Sequence, residues 1–255
     1  MNPSLPAIDF LGTPIHVATM DEALTHIESG VVVTPNIDHL AKLRTDREFR
    51  DCYREADWVL CDSRIITLMS RLLPESLPEA VPGSTFFTRF YEHHASDPDC
   101  RIFLLGARPG VADEARRRIN ARVGREIVVG AHSPSFGFEK RPEEAREIAE
   151  IINRSGANVV LVGVGAPKQE KWIRSHRHEM PGVKLWLALG ATIDFEAGAV
   201  KRAPRWVQKI CMEWFYRFLC EPRRMFRRYF VDDPVVLFSF LGSLPGAWRG
   251  RKTKR

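Results

Sequence analysis

The stretch VVLVGVGAPKQE, residues 159–170, decides the fold. Its first four residues are aliphatic without interruption, then come Gly163 and Gly165, and Pro167 precedes a polar run with helical spacing. Short length, β-branching and closing glycines argue for a strand at 159–162 in place of a buried helix. The same pattern recurs outward along the chain at 31–34, 58–61, 102–105, 127–129 and 185–189. Helical stretches lie between them, at about 38–55, 65–73, 86–94, 111–123, 143–154 and 169–178; Glu143 follows Pro142, a favoured first-turn residue. Strands separated by single helices imply parallel crossovers. The expected fold is therefore α/β: a mostly parallel, Rossmann-like sheet with helices on both faces and a C-terminal helical appendage.

The chain has 255 residues, 44% of them hydrophobic, which is enough for a substantial core. Its net charge of +6 is unevenly spread. Residues 201–255 hold 14 Lys/Arg and 4 Asp/Glu, leaving 24 and 28 in residues 1–200. A mildly acidic body with a strongly basic tail points to an anionic partner for the tail, either membrane or nucleic acid. The five cysteines are scattered and form no Cys-x-x-Cys pair, which favours reduced thiols in the cytosol. The first residues show no signal-peptide pattern, and the apolar run at 235–241 is far shorter than the roughly 20 residues of a spanning helix. A membrane-bound state would therefore be peripheral. Three regions are expected: an α/β nucleotide-binding body at 1–200, a basic aromatic helical appendage at 201–242 broken at Pro222 and Pro234, and a basic tail at 243–255 expected to lack order.

Four expected strand ends carry the candidate chemistry: Thr34-Pro35-Asn36, Leu105-Gly106-Ala107-Arg108, Gly163-Val164-Gly165-Ala166-Pro167-Lys168-Gln169, and Gly190-Ala191-Thr192-Ile193-Asp194. Ligands of open parallel sheets bind beyond the carboxyl ends of the strands. Glycines there let backbone N–H groups approach phosphate oxygens. Together these segments suggest a nucleotide or phosphate site, although no Walker pattern or complete dinucleotide fingerprint is present. Asp62 follows the strand at 58–61, where a general base would stand; the competing reading is a cap for the helical run from Arg64. Thr34 and Asn36 read equally as site residues or as a turn. Asp97-Pro98-Asp99 reads as a turn, not as a metal-holding Asp-x-Asp, and the histidines form no ligand set, so no metal is expected.

In the tail, Trp206, Trp214, Phe215, Tyr216, Phe218, Phe226, Tyr229 and Phe230 alternate with Arg217, Arg223, Arg224, Arg227 and Arg228. Such a mixture suits an interfacial membrane surface, stacking on nucleic-acid bases, or packing on the body with arginines outward.

The segments TPNIDHL (34–40), EADWVLCDS (55–63), GVGAPKQEKW (163–172), GATIDFEAG (190–198), KRAPRWVQ (201–208) and EWFYRFLCEPRRMFRRY (213–229) resemble, as an ordered set, the WecG/TagA/CpsF family of glycosyltransferases. The resemblance spans about residues 8–230. It implies an inverting, metal-independent enzyme without a cofactor. The donor would be a UDP-sugar carrying an N-acetylmannosamine-type sugar, glucose or glucuronic acid. The acceptor would be a polyprenyl diphosphate-linked sugar in exopolysaccharide, capsule or cell-wall polymer synthesis. It also implies a cytoplasmic protein peripheral on the inner face of the cell membrane, with no nucleic-acid partner; self-association into a homo-oligomer is compatible with it. By resemblance Asp62 is the catalytic base, assisted by Thr34 and Asn36. Gly106, Ala107, Gly163, Gly165, Lys168, Gln169 and Asp194 fall to the donor. Arg217, Arg224 and Arg227 fall to the acceptor or diphosphate. The chain departs from the family pattern at Ser63, Ala80 and Thr85, beside the expected base. A non-catalytic nucleotide-binding partner of a polysaccharide complex, a nicotinamide-dependent oxidoreductase and a basic-tailed RNA-binding protein are the alternative readings.

Overall fold

The computed structural model describes residues 5–200 and 233–252. A hairpin of β1 (Ala7–Phe10) and β2 (Thr13–His16) precedes a six-stranded parallel sheet. The sheet contains β3 (Gly30–Val33), β4 (Trp58–Val59), β5 (Ile102–Gly106), β6 (Val128–His132), β7 (Val159–Gly163) and β8 (Leu185–Ala188), in the order β4-β3-β8-β7-β5-β6. All six strands expected from sequence are present, with ends shifted by at most three residues. Their uninterrupted apolar character has a direct cause. Val31, Val33, Val160 and Val162 enter one core, while Val32, Val159 and Leu161 enter the opposite one. A strand buried on both faces has no polar side to alternate with.

Helices α2 (Ile37–Thr45), α3 (Arg47–Glu55), α7 (Pro142–Ser155) and α8 (Lys168–His176) cover the first core. The second is covered by α1 (Met20–His26), α5 (Gly83–His93), α6 (Val111–Val123) and α9 (Thr192–Glu196). Helix α4 (Arg64–Ser70) follows β4 and adds Ile66 and Met69 to the first core. The chain leaves β5 toward β6 at one edge, and leaves β7 toward β8 in the other direction. Diverging connections open a crevice between the carboxyl ends of β5 and β7, the place where such sheets bind ligands.

Three local features differ from the sequence reading. The helical run at 38–55 is two helices, because Asp46 is extended (φ −97°, ψ 104°) and its Oδ1 accepts from Phe49 N at 3.0 Å. One capping aspartate thus ends α2 and starts α3. The hairpin was not anticipated; its His16 Nδ1 accepts from Val59 N at 3.0 Å, which braces the edge strand β4. Burial pushes the His16 imidazole below its ordinary pKa, which suits the neutral, accepting nitrogen.

The third difference is at the C-terminus. One helix, α10 (Asp233–Lys252), begins at the break expected at Pro234 and continues past the boundary expected at 243. Pro234 falls in its first turn, where a missing N–H costs nothing. Val236 and Phe240, four residues apart, are buried, and Phe240 stacks on Phe10 at 4.9 Å between ring centroids. Arg44 of α2 donates to the Ser239 hydroxyl. The rest of the expected appendage, 201–232, lies outside the described residues. Among the described residues no helix is long and apolar enough to cross a membrane. Cys52, Cys61 and Cys100 are buried free thiols, with burial first among the causes pushing them up to about 12, 11 and 12.

Phe240→Ala removes the ring that anchors α10 to β1. It is expected to lower stability by about 3 kcal/mol, read from denaturant midpoints, and to expose α10 to limited proteolysis.

Candidate functional site

The crevice is built first from glycines. A Cβ on Gly106, whose φ is +138°, would fall 2.5 Å from the Gly163 carbonyl oxygen. A Cβ on Gly163 would fall 2.7 Å from the Gly190 carbonyl oxygen. The ends of β5, β7 and β8 therefore meet backbone to backbone. Beyond them opens a cleft of about 240 Å³ lined in part by Ala107, Arg108, Phe136, Glu139, Lys168 and Asp194. Ala107 adopts φ +60°, a strained conformation for a side chain with a Cβ, directly at the turn.

Sequence-predicted Ala107, Gly163, Lys168 and Asp194 thus share one cleft, with Gly106 adjoining. Burial raises the Asp194 carboxyl pKa, and the nearby Arg108 guanidinium works against that rise. Lys168 Nζ lies 3.1 Å from Glu139 Oε1 and 4.7 Å from the centre of the Phe136 ring. Burial would raise the Glu139 carboxyl, but a backbone hydrogen bond and Lys168 outweigh it and hold the pKa below its ordinary value.

Gly165 and Gln169, both expected at the donor, are joined by hydrogen bonds of their own. Gln169 Oε1 accepts from both Gly165 N and Gly190 N, each at 3.1 Å. Its Nε2 donates to Glu170 Oε1 at 2.9 Å. The side chain is buried, so it staples the β7–α8 and β8–α9 turns together from below. The Gly165 N–H is spent on this staple. Lys42, paired with Asp38 at 2.8 Å, adds a bond to the Ala166 carbonyl at 3.2 Å and ties α2 to the same turn.

The second group of residues gathers at β4 and β3. Asp62 is not the cap of α4; Ser63 takes that place, its hydroxyl accepting from Ile66 N at 3.4 Å. Asp62 Oδ1 instead accepts from Gly83 N at 2.9 Å, at the first residue of α5. The positive end of that helix favours a carboxylate there. Val81 N donates to the Cys61 carbonyl at 2.7 Å, which sets the segment before α5 beside Asp62. A Cβ at Gly83 would fall 3.2 Å from Thr34 Oγ1, so buried Thr34 closes the same corner. Asn36 serves as the N-cap of α2, accepting from His39 N at 3.1 Å. From β4 to β7 is three strand spacings, about 14 Å.

Arg217, Arg224 and Arg227 lie outside the described residues. Asp97-Pro98-Asp99 is a turn in which Asp97 Oδ1 accepts from Asp99 N. Among the described residues no three His, Cys, Asp or Glu side chains are grouped to hold a metal ion. Sequence reasoning missed Phe136, Glu139 and Glu170 as participants and quoted Arg108 without choosing it. Glu170 sits inside the PKQE string that carried the resemblance, but nothing in its spacing marked it as buried. Burial pushes its pKa up to about 7 against the Gln169 bond, and its Oε2 is buried without a hydrogen-bond partner.

The model described as Glycosyl transferase WecG/TagA/CpsF family matches residues 8–250.

Glu170 makes stability depend on pH in a stated direction. Its folded pKa of about 7 exceeds the ordinary 4.5, so the folded state binds the extra proton between those values. Stability is expected to fall as pH rises from about 4.5 through about 7, by an amount on the order of 3 kcal/mol. Glu170→Gln keeps the acceptor for Gln169 and should flatten that slope in denaturation midpoints measured from pH 5 to pH 8.

Proposed function

The chain belongs to the WecG/TagA/CpsF family of glycosyltransferases, and we propose that it transfers a sugar from a UDP-sugar to a polyprenyl diphosphate-linked acceptor with inversion at the anomeric carbon. The observation that carries the reading is the placement of Asp62. It stands at the carboxyl edge of the sheet, held by the α5 N-terminus, about three strand spacings from the glycine-lined cleft. A donor laid across the strand ends would put its nucleoside in the cleft and its anomeric carbon toward Asp62.

In the proposed single displacement, Asp62 takes the proton from the acceptor hydroxyl as its oxygen attacks the anomeric carbon. The bond from that carbon to the diphosphate oxygen breaks, and the nucleoside diphosphate leaves. Its charge is met by cationic side chains, Lys168 and Arg108 from the cleft, and Arg217, Arg224 and Arg227 from the tail, without a metal. Thr34 fixes the corner around Asp62, and Asn36 sets the start of α2 beside it. Gln169 acts through the turns it joins.

Membrane attachment as a peripheral protein is part of the same proposal, because a polyprenyl acceptor does not leave the bilayer. Two features support it. The basic charge is concentrated after residue 200. Ile65, Leu68 and Leu72 are exposed along and just past α4, which begins two residues after Asp62, and Leu237, Phe238 and Leu241 are exposed on α10.

Asp62→Asn retains the oxygen that accepts from Gly83 but cannot take a proton. Transfer to a lipid-linked acceptor is expected to fall at least about 100-fold, while UDP-sugar affinity measured by calorimetry stays within about twofold and is insensitive to chelator. Near-normal turnover would remove Asp62 as the base.

A further inference from the structure

We propose that Glu196 is a positioning residue for sugar transfer: it ties α9 to α5 and α6 and so fixes the span between Asp62 and the donor cleft. This rests on the functional reading above and adds to it the group that joins the two halves of the site. Glu196 is the last residue of α9 and is only 8% exposed. Thr88 Oγ1 of α5 donates to its Oε1 at 2.6 Å, and the Tyr91 hydroxyl of the same helix donates to its Oε2 at 3.0 Å. Arg122 of α6 brings Nη1 to 3.4 Å from that Oε2 and also donates to the Tyr91 hydroxyl. Both carboxylate oxygens are thus engaged by side chains of two other helices.

Packing alone does not call for a carboxylate here. Ile193 and Ala197, beside it on α9 and just past its end, are buried in the second core, where a leucine would fit the surroundings. Removing a carboxylate from water costs free energy that an apolar side chain avoids, and apolar replacements of buried ion pairs are often neutral or stabilising. What the carboxylate supplies is direction. A fully bonded polar network holds one arrangement, whereas an apolar contact lets one helix slide on another. Burial, and after it the Glu196 charge, raises the Tyr91 hydroxyl pKa, which keeps that hydroxyl a donor.

The helices joined in this way carry the site. Helix α5 begins at Gly83, whose N–H donates to Asp62 Oδ1 at 2.9 Å. Thr88 lies a rise of about 7.5 Å further along the same helix. Helix α9 carries Asp194 at the cleft wall. The start of α5 also packs on the end of β8, since a Cβ on Gly83 would fall 2.9 Å from Leu189 Cδ2. A shift of α9 against α5 therefore changes the span between cleft and base while leaving each intact. Donor binding uses the cleft alone. Transfer needs the anomeric carbon and Asp62 aligned, and a misplacement of about 1 Å can cost about 100-fold.

The test compares wild type, Glu196→Leu, Glu196→Gln and Thr88→Val. Transfer from a UDP-sugar to a polyprenyl diphosphate-linked sugar gives kcat, calorimetry gives UDP affinity, and thermal denaturation gives Tm. The proposal expects Glu196→Leu to lower kcat by about 10- to 100-fold, with UDP affinity within about twofold of wild type and Tm unchanged or higher. Glu196→Gln still accepts from Thr88 and should recover most of kcat. Thr88→Val should lose part of kcat alone and nothing further in the Glu196→Leu background. Wild-type kcat in Glu196→Leu overturns the proposal. An equal loss of UDP affinity also overturns it, because the carboxylate would then shape the cleft itself. A kcat loss that follows a falling Tm across the variants overturns it in favour of a purely structural role. Should Glu196→Leu fail to fold, Thr88→Val decides: lower kcat at wild-type UDP affinity supports the proposal, and unchanged kcat overturns it. A wild-type protein that neither binds nor transfers from a UDP-sugar defeats the transferase reading, and the positioning role falls with it; every other outcome leaves an active wild type and that reading in place.

Discussion

Backbone contact between the ends of three neighbouring strands is the constraint on which the site depends. Gly106 meets the carbonyl of Gly163, and Gly163 meets the carbonyl of Gly190, at distances that leave no room for a Cβ. Any side chain there would push β5, β7 and β8 apart at their carboxyl ends. The topology places the divergence of connections at the β5–β7 boundary. Tight strand ends and splayed loops together make a cleft with a floor of backbone and walls of side chain. The strained turn at Ala107 is a local cost of that floor.

Buried polar groups hold the floor in position. Gln169 joins the turns after β7 and β8, and Glu170 fixes which end of the Gln169 amide points at the two N–H groups. An amide with both ends committed has one orientation, so the turns cannot slip independently. The cost is a buried carboxyl with one oxygen unpartnered, whose ionisation burial opposes. At the other edge the logic is similar. The short strand β4 has few ladder bonds, and His16 from the hairpin and Gly83 from α5 supply hydrogen bonds around it. Asp62 is thereby held by an element 21 residues further along the chain.

The C-terminal helix is seated on the sheet by way of the hairpin. Its buried Phe240 stacks on Phe10 of the hairpin, while Val235, Leu237, Phe238 and Leu241 are apolar and exposed. The hairpin therefore braces β4 and also seats α10, which explains why two four-residue strands outside the main sheet carry fully buried Phe10 and Ile15.

The sequence by itself determined the sheet. Continuous aliphatic runs such as 159–162, short, β-branched and closed by glycine, suit a strand buried on both faces, and those glycines mark where the strands end. It also determined which residues sit at strand ends, because that position follows from local order alone; Thr34, Asp62, Gly163, Lys168 and Asp194 were legible for this reason. The motif set made the family legible as well. Tertiary structure alone decided what each polar atom does there. Ser63 outcompetes Asp62 for the cap of α4, and Gln169 turns inward and takes the Gly165 N–H, because hydrogen-bond partners are chosen by distance in space. The hairpin, the break at Asp46 and the burial of Glu170 were hidden for the same reason. Short elements and single buried charges are stabilised by neighbours remote in sequence, and no local pattern records those neighbours.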